Sequence, residues 1–285
     1  MAKRLKSDEQ LGSMGMIKTH DFTFRNRSIR VNISGKGSEN LLLFHGFGQS
    51  GQAFNRWHRE LDSTYTLYSF DLFFHGFSDQ IEEPVTIDLW GSILRAFMEQ
   101  NQITSFHLAG YSLGGRFVNA TVKSFPTQVK SITYMAPDGF FESPWHRLAV
   151  AFQPIFRWTM SHPNALLSVA GLVEKARLTS PSLVKFAKRE LRDVENRMRV
   201  YRSWVFLKPL LRSTKRIARV IDEHQIKCWV FLGSKDYIIP PGKVSPHFKN
   251  NSSALISVLE KRHHEIIDAA FDVLHCDQTE YEAET

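Results

Sequence analysis

With 285 residues, 42% of them hydrophobic, and 22 Phe and 6 Trp, the chain holds enough apolar material for a full core, which excludes a disordered or low-complexity polymer. Its 36 Lys and Arg against 29 Asp and Glu give a formal charge of +7, a balance that attracts anions generally and does not by itself specify a nucleic-acid partner. No apolar run approaches the roughly 20 residues of a membrane span. The charged start Met1-Ala2-Lys3-Arg4 leads into no apolar region, and Cys228 and Cys276 offer neither a disulfide framework nor a zinc spacing. The expectation is a cytoplasmic protein with two inert thiols, no metal and no specific nucleic-acid partner.

In chain order, residues 1–17 are polar and unpatterned and read as a disordered or start-site extension. Asp21 to Ser34 alternates around an Asn26-Arg27 turn, the pattern of a β-hairpin with one wet face. Leu41-Leu42-Leu43-Phe44 is continuously apolar, as a parallel strand buried on both faces should be. A helix over Gln52 to Leu61, a strand over Tyr65 to Phe70 and an amphipathic helix over Val85 to Gln100 follow. Ser105 to Ala109 then reads as a short buried strand, Arg116 to Phe125 as a helix closed by Pro126, and Val129 to Met135 as another strand. From Glu142 to about Leu211 the strand signal vanishes, and helical periods broken at Pro144, Pro154, Pro163 and Pro181 take over. Strands return at Lys227 to Leu232 and Leu255 to Leu259. Alternating strands and helices predict a mostly parallel α/β sheet, and the helical block between two of its strands predicts an inserted cap. The boundaries are a core of residues 18–138 and 212–285 and a cap of residues 139–211. Lys and Arg far outnumber Asp and Glu between Trp145 and Gln225, so the basicity belongs mainly to the cap.

The stretch that organises the chain is Gly110-Tyr111-Ser112-Leu113-Gly114-Gly115-Arg116. Its G-x-S-x-G pattern stands between a predicted strand and a predicted helix, the setting of a nucleophile elbow that presents a serine above the carboxyl edge of a sheet. The glycines fit because strand and helix pass too close for a Cβ. A serine nucleophile needs a base oriented by an acid. Asp236 follows the strand ending at Leu232, in Gly233-Ser234-Lys235-Asp236, where a carboxylate should leave the sheet edge. Asp138 follows the preceding strand. His263 and His264 lie just beyond the last strand.

On these residues the chain resembles the α/β-hydrolase superfamily, from about Phe22 to Leu274 apart from the helical insert. The resemblance implies a Ser112, Asp236 and His264 triad, with Asp138 at a second position that some members use for the acid. It also makes His45-Gly46-Phe47-Gly48 the oxyanion loop, with the backbone N–H groups of Phe47 and Leu113 holding the developing oxyanion. His264 is preferred over His263 because the usual loop length counted from Leu259 reaches it, and because His264-Glu265-Ile266 resembles the monoacylglycerol-lipase branch. Asp71 to Ser78 resembles the family's D-x-x-G-H-G-x-S turn, with Phe74 where glycine is usual. His45 and His75 read as turn or packing histidines, although His45, Tyr111 and Arg116 stand where substrate-binding residues are expected.

The implied activity is cofactor-free hydrolysis of an ester, or a related acyl bond, of a small or lipid-like substrate by way of an acyl-enzyme. Two alternatives accompany it. Tyr111 to Arg116 resembles the elbow of a menaquinone-pathway lyase that holds a polyanionic substrate with arginines, and the same scaffold also serves low-turnover ligand receptors. A basic cap is compatible with peripheral contact at an anionic membrane, and the chain is expected to be a monomer or homodimer.

Overall fold

The computed structural model describes residues 16–142, 144–162, 193–214 and 216–283. The expected N-terminal extension falls almost wholly outside them, as do cap residues 163–192.

Eight strands form one sheet in the order β1-β2-β4-β3-β5-β6-β7-β8. β1 (Lys18–Phe24) and β2 (Arg27–Ser34) make the antiparallel hairpin, and β2 joins β4 (Tyr65–Phe70) antiparallel. The hairpin loop is Arg25-Asn26, one residue earlier than expected, because Phe24 pairs with Arg27 and Arg25 takes the left-handed turn conformation at φ +53°. β3 (Glu39–Phe44), β5 (Phe106–Tyr111), β6 (Val129–Met135), β7 (Lys227–Gly233) and β8 (Ala254–Leu259) continue the sheet in parallel.

Successive strand side chains point to opposite faces, and the apolar runs therefore fill two layers. Leu42 and Phe44 of β3 enter one cluster with Trp90, Phe97 and Phe117, while Leu41 and Leu43 enter the other with Phe54, Trp57 and Phe271. The first layer is covered by α2 (Ile87–Gln100) and α3 (Gly114–Ser124), the second by α1 (Asn55–Glu60) and α9 (Ile266–Ala283). Helix α2 starts two residues later than its apolar pattern suggested, because the Thr86 hydroxyl accepts from Leu89 N–H at 3.1 Å and caps it there. The predicted helix over Gln52 to Leu61 divides into a 3₁₀ turn over Gly51–Phe54 and α1.

The described part of the insert is helical: α4 (Pro144–Ala151), α5 (Gln153–Ser161) and α6 (Val194–Phe206). Phe156, Met160, Val200, Tyr201 and Val205 form its own small core, against which Trp204 and Phe47 pack. The chain rejoins the main core earlier than residue 212. Leu207 and Leu210 are fully buried in the first layer, and Val85 N–H donates to the Phe206 carbonyl at 2.8 Å. α7 (Ile217–Glu223) and α8 (Pro241–Val244) complete the described helices. Every parallel strand thus delivers its following loop to one sheet edge, the carboxyl edge where open α/β sheets hold ligands.

Candidate active site

Ser112 leaves β5 at φ +48°, a left-handed conformation that costs a non-glycine residue about 1–3 kcal/mol. Its surroundings over-determine that geometry. Ser112 N–H donates to the Met135 carbonyl at 3.0 Å, and its own carbonyl accepts from Gly115 N–H at 2.9 Å and Asp138 N–H at 2.8 Å. The flanking glycines are sterically required. A Cβ on Gly114 would lie 2.0 Å from the Phe44 carbonyl oxygen, and one on Gly110 would lie 2.5 Å from a Val118 methyl.

Asp236, 3% exposed in the turn after β7, accepts from Ile238 and Ile239 N–H through Oδ1 at 2.8 and 2.9 Å. Its other oxygen, Oδ2, lies 2.6 Å from His263 Nδ1, and His263 Nε2 lies 3.0 Å from Ser112 Oγ. These two contacts join the ends of three strands into one line. With a carboxylate on Nδ1, the imidazole carries its proton there and turns a bare Nε2 lone pair toward the hydroxyl.

The histidine so placed is His263, which corrects the expectation of His264. Counting an extended loop from Leu259 overshoots by one, because the chain folds at once into a 3₁₀ turn over His263–Glu265. Arg262 N–H donates to Glu265 Oε2 at 2.7 Å, and Glu265 N–H returns to the Arg262 carbonyl at 3.1 Å. The first residue of that turn faces Ser112, whereas His264 is exposed. Asp138, the alternative acid, is committed elsewhere: its Oδ2 accepts from Arg116 Nε at 2.8 Å and Nη2 at 2.7 Å, and its Oδ1 accepts from Gly139 N–H at 2.6 Å.

Leu113 follows Ser112 at the start of α3, and Phe47 lies in the loop after β3, the strand paired with β5. Among the described residues, neither the Phe47 nor the Leu113 backbone N–H has a protein acceptor. The Phe47 ring lies between His75, at 5.1 Å, and the cap cluster.

The three expected substrate-binding residues occupy other positions. His45 is wholly buried, with Nδ1 donating to the Gly46 carbonyl at 2.7 Å and Nε2 accepting from Leu72 N–H at 3.0 Å, and burial holds its pKa down to about 4. It is a neutral pin between the loops after β3 and β4. Tyr111 is 4% exposed and lies behind His263, where burial, and then the Asp236 charge, push its phenol pKa up. Arg116 is 6% exposed and paired with Asp138, and its Nη1 is buried with no acceptor among the described residues. His75 is also buried and neutral, its pKa pushed down to about 3 by burial and then by His45. The helical insert packs residues that no motif announced, Phe156 and Tyr201 with Trp204 beside them, in the cluster that Phe47 also touches. Only their helical spacing in the insert could have drawn attention to them.

Known proteins carry related sequences and the same architecture. Residues 39–225, about two thirds of the chain, match the family model described as alpha/beta hydrolase fold. Lipase 1 of Psychrobacter immobilis is 23% identical over 280 residues, spanning 95% of this chain and 83% of the lipase. A dihydrolipoyllysine-residue acetyltransferase component of the acetoin cleaving system of Cupriavidus necator is 30% identical over 115 residues, 39% of this chain and 30% of that protein. The chain thus spans about a third of the length of the first curated relatives it matches. A thermophilic esterase from Thermogutta terrifontis superposes with a TM-score of 0.65 over 94% of this chain and 98% of its own, at 13% identity. Matched through its family model and in fold, the chain belongs to the alpha/beta hydrolase family.

Proposed function

We propose that this hydrolase is a serine esterase or lipase that cleaves an ester, or a related acyl bond, of a small or acyl-lipid substrate through an acyl-enzyme. The observation that carries the reading is the unbroken line Asp236 Oδ2–His263–Ser112 Oγ, with contacts of 2.6 and 3.0 Å. Ser112 Oγ attacks the acyl carbon while His263 Nε2 takes its proton, and Asp236 holds the imidazole in orientation and stabilises the imidazolium. The negative charge developing on the carbonyl oxygen is met by the Phe47 and Leu113 N–H groups. Such donors contribute two to three powers of ten each when removed singly. His263 then returns the proton to the leaving alkoxide, and a water activated by the same nitrogen releases the acid.

The apolar cap cluster against Phe47 supports a substrate with a hydrocarbon part. The lyase alternative draws less support. It calls for arginine charge free to hold a polyanion, and Arg116 is neutralised by Asp138 at 2.7 Å. A receptor without turnover has no use for a base within hydrogen-bond distance of a strained serine.

The test uses a short-chain p-nitrophenyl ester and a fluorophosphonate probe. Ser112→Ala and His263→Ala each lose at least four powers of ten in kcat, while His264→Ala stays within about threefold of wild type. Mass spectrometry finds the probe on the peptide holding Ser112. Labelling elsewhere, or full turnover by Ser112→Ala, sinks the reading.

A further inference from the structure

We infer that Tyr111 is a positioning residue for the base: its hydroxyl and ring hold the turn that carries His263, and so select which of two adjacent histidines meets Ser112. The inference rests on the reading of His263 as the base.

The need for such a device is visible in the loop. Between the end of β8 at Leu259 and the 3₁₀ turn, residues 260–262 are all exposed. Lys235 ties them to the turn after β7, its N–H donating to the Lys261 carbonyl at 3.1 Å and its Nζ pairing with Glu260 at 2.6 Å. The Arg262–Glu265 cap fixes the shape of the turn but is local to it, so it cannot set the distance from the turn to β5. No glycine lies between Leu259 and His264 to relax a misplaced register.

Tyr111 adds a bond from the end of β5 to the backbone of the turn itself. Its hydroxyl donates to the His263 carbonyl at 3.1 Å across 152 residues of sequence, and its ring lies against the imidazole with centroids 5.1 Å apart and planes inclined by 38°. The tyrosine is itself closely packed. It ends β5, is 4% exposed, and packs so closely under the oxyanion loop that a Cβ on Gly46 would stand 2.7 Å from the ring. Because Tyr111 is covalently adjacent to Ser112, one strand end gives the reference point for both nucleophile and base. A tyrosine that lined the substrate site would turn its hydroxyl toward the ligand; this one spends it on backbone behind the imidazole. Gripping the His263 carbonyl holds that residue at the first position of the turn, which leaves His264 in solvent.

Tyr111→Phe removes the hydroxyl and keeps the ring. The expected result is a five- to tenfold lower kcat on p-nitrophenyl acetate, the range of one neutral hydrogen bond, with KM within twofold and Tm within about 3 °C. Labelling of Ser112 by the fluorophosphonate slows by the same factor, since it depends on the same base. In a His263→Ala background the Tyr111→Phe change has no further effect, because the residue acts only through that imidazole. A raised KM with unchanged kcat would instead make Tyr111 a substrate contact and overturn the inference. So would unchanged kcat and KM, or an independent multiplicative loss in the His263→Ala background. Full activity of His263→Ala alone would defeat the underlying assignment of the base, an outcome separate from these.

Discussion

Replacing Phe74 separates two opposed energies. Phe74 stands in the turn after β4 at φ +71°, where a side chain normally costs about 1–2 kcal/mol. It is nonetheless 1% exposed, with its ring stacked on Phe206 at 5.9 Å and 29°, where the chain leaves the cap. Truncating a buried Phe to Ala costs about 3–5 kcal/mol. Phe74→Ala loses that ring and keeps the left-handed Cβ, so it should destabilise by about 3–5 kcal/mol. Phe74→Gly loses the same ring but sheds the strain. Against the usual penalty of about 0.5–1 kcal/mol for glycine relative to alanine, it should come out about 0.5–1 kcal/mol more stable than the alanine variant. Both variants should remain below wild type, because the ring's burial outweighs the strain it imposes. Urea unfolding of the three proteins, compared at a common m-value, reads these differences as midpoints. A glycine variant less stable than the alanine one would refute the strain argument, and one at or above wild-type stability would refute the packing argument.

Two further expectations concern charge. Burial lowers the pKa of His45 and His58 to about 4 and that of His75 to about 3, from 6.5. The unfolded chain therefore takes up protons that the folded chain refuses; stability is full above about pH 6.5 and declines as pH falls from there toward 4, on the order of 2 kcal/mol per histidine by pH 5. His58, held between Ser34 and Ser69 at 2.6 and 2.7 Å, gives the check: Tm falls less between pH 7.5 and 5 in His58→Asn than in wild type, and equal slopes would count against it. In the cap, Arg147 and Arg157 are exposed, whereas Arg197 is buried with Nε on the Met160 carbonyl at 2.8 Å. If the exposed pair steers anionic substrates, raising salt lowers kcat/KM for an anionic ester and not for a neutral one, because exposed charges are screened over about 8 Å at physiological ionic strength. An equal response of both esters would remove the steering idea.

The sequence by itself determined the parts of this protein that depend on neighbours in the chain. β4 and β6 begin and end where their patterns predict, at Tyr65–Phe70 and Val129–Met135, because buried residues dominate each run despite Thr66 and Ser69 in one and Lys130, Ser131 and Thr133 in the other. The elbow was legible because its glycines answer a local steric demand, and Asp236 because a carboxylate one turn past a strand must lie at the sheet edge. Tertiary structure decided what depends on groups far apart in sequence. Which histidine meets Ser112 turns on a 3₁₀ turn and on Tyr111, 152 residues from the carbonyl it holds, and a loop count contains neither. His45 and Arg116 look like substrate contacts in a motif. Folding brings Leu72 N–H and Asp138 to them, and a buried polar group keeps the partner that burial requires. Phe74 breaks the glycine rule of its turn, and its burial in the core beside Phe206, which follows the helical insert, offsets that strain.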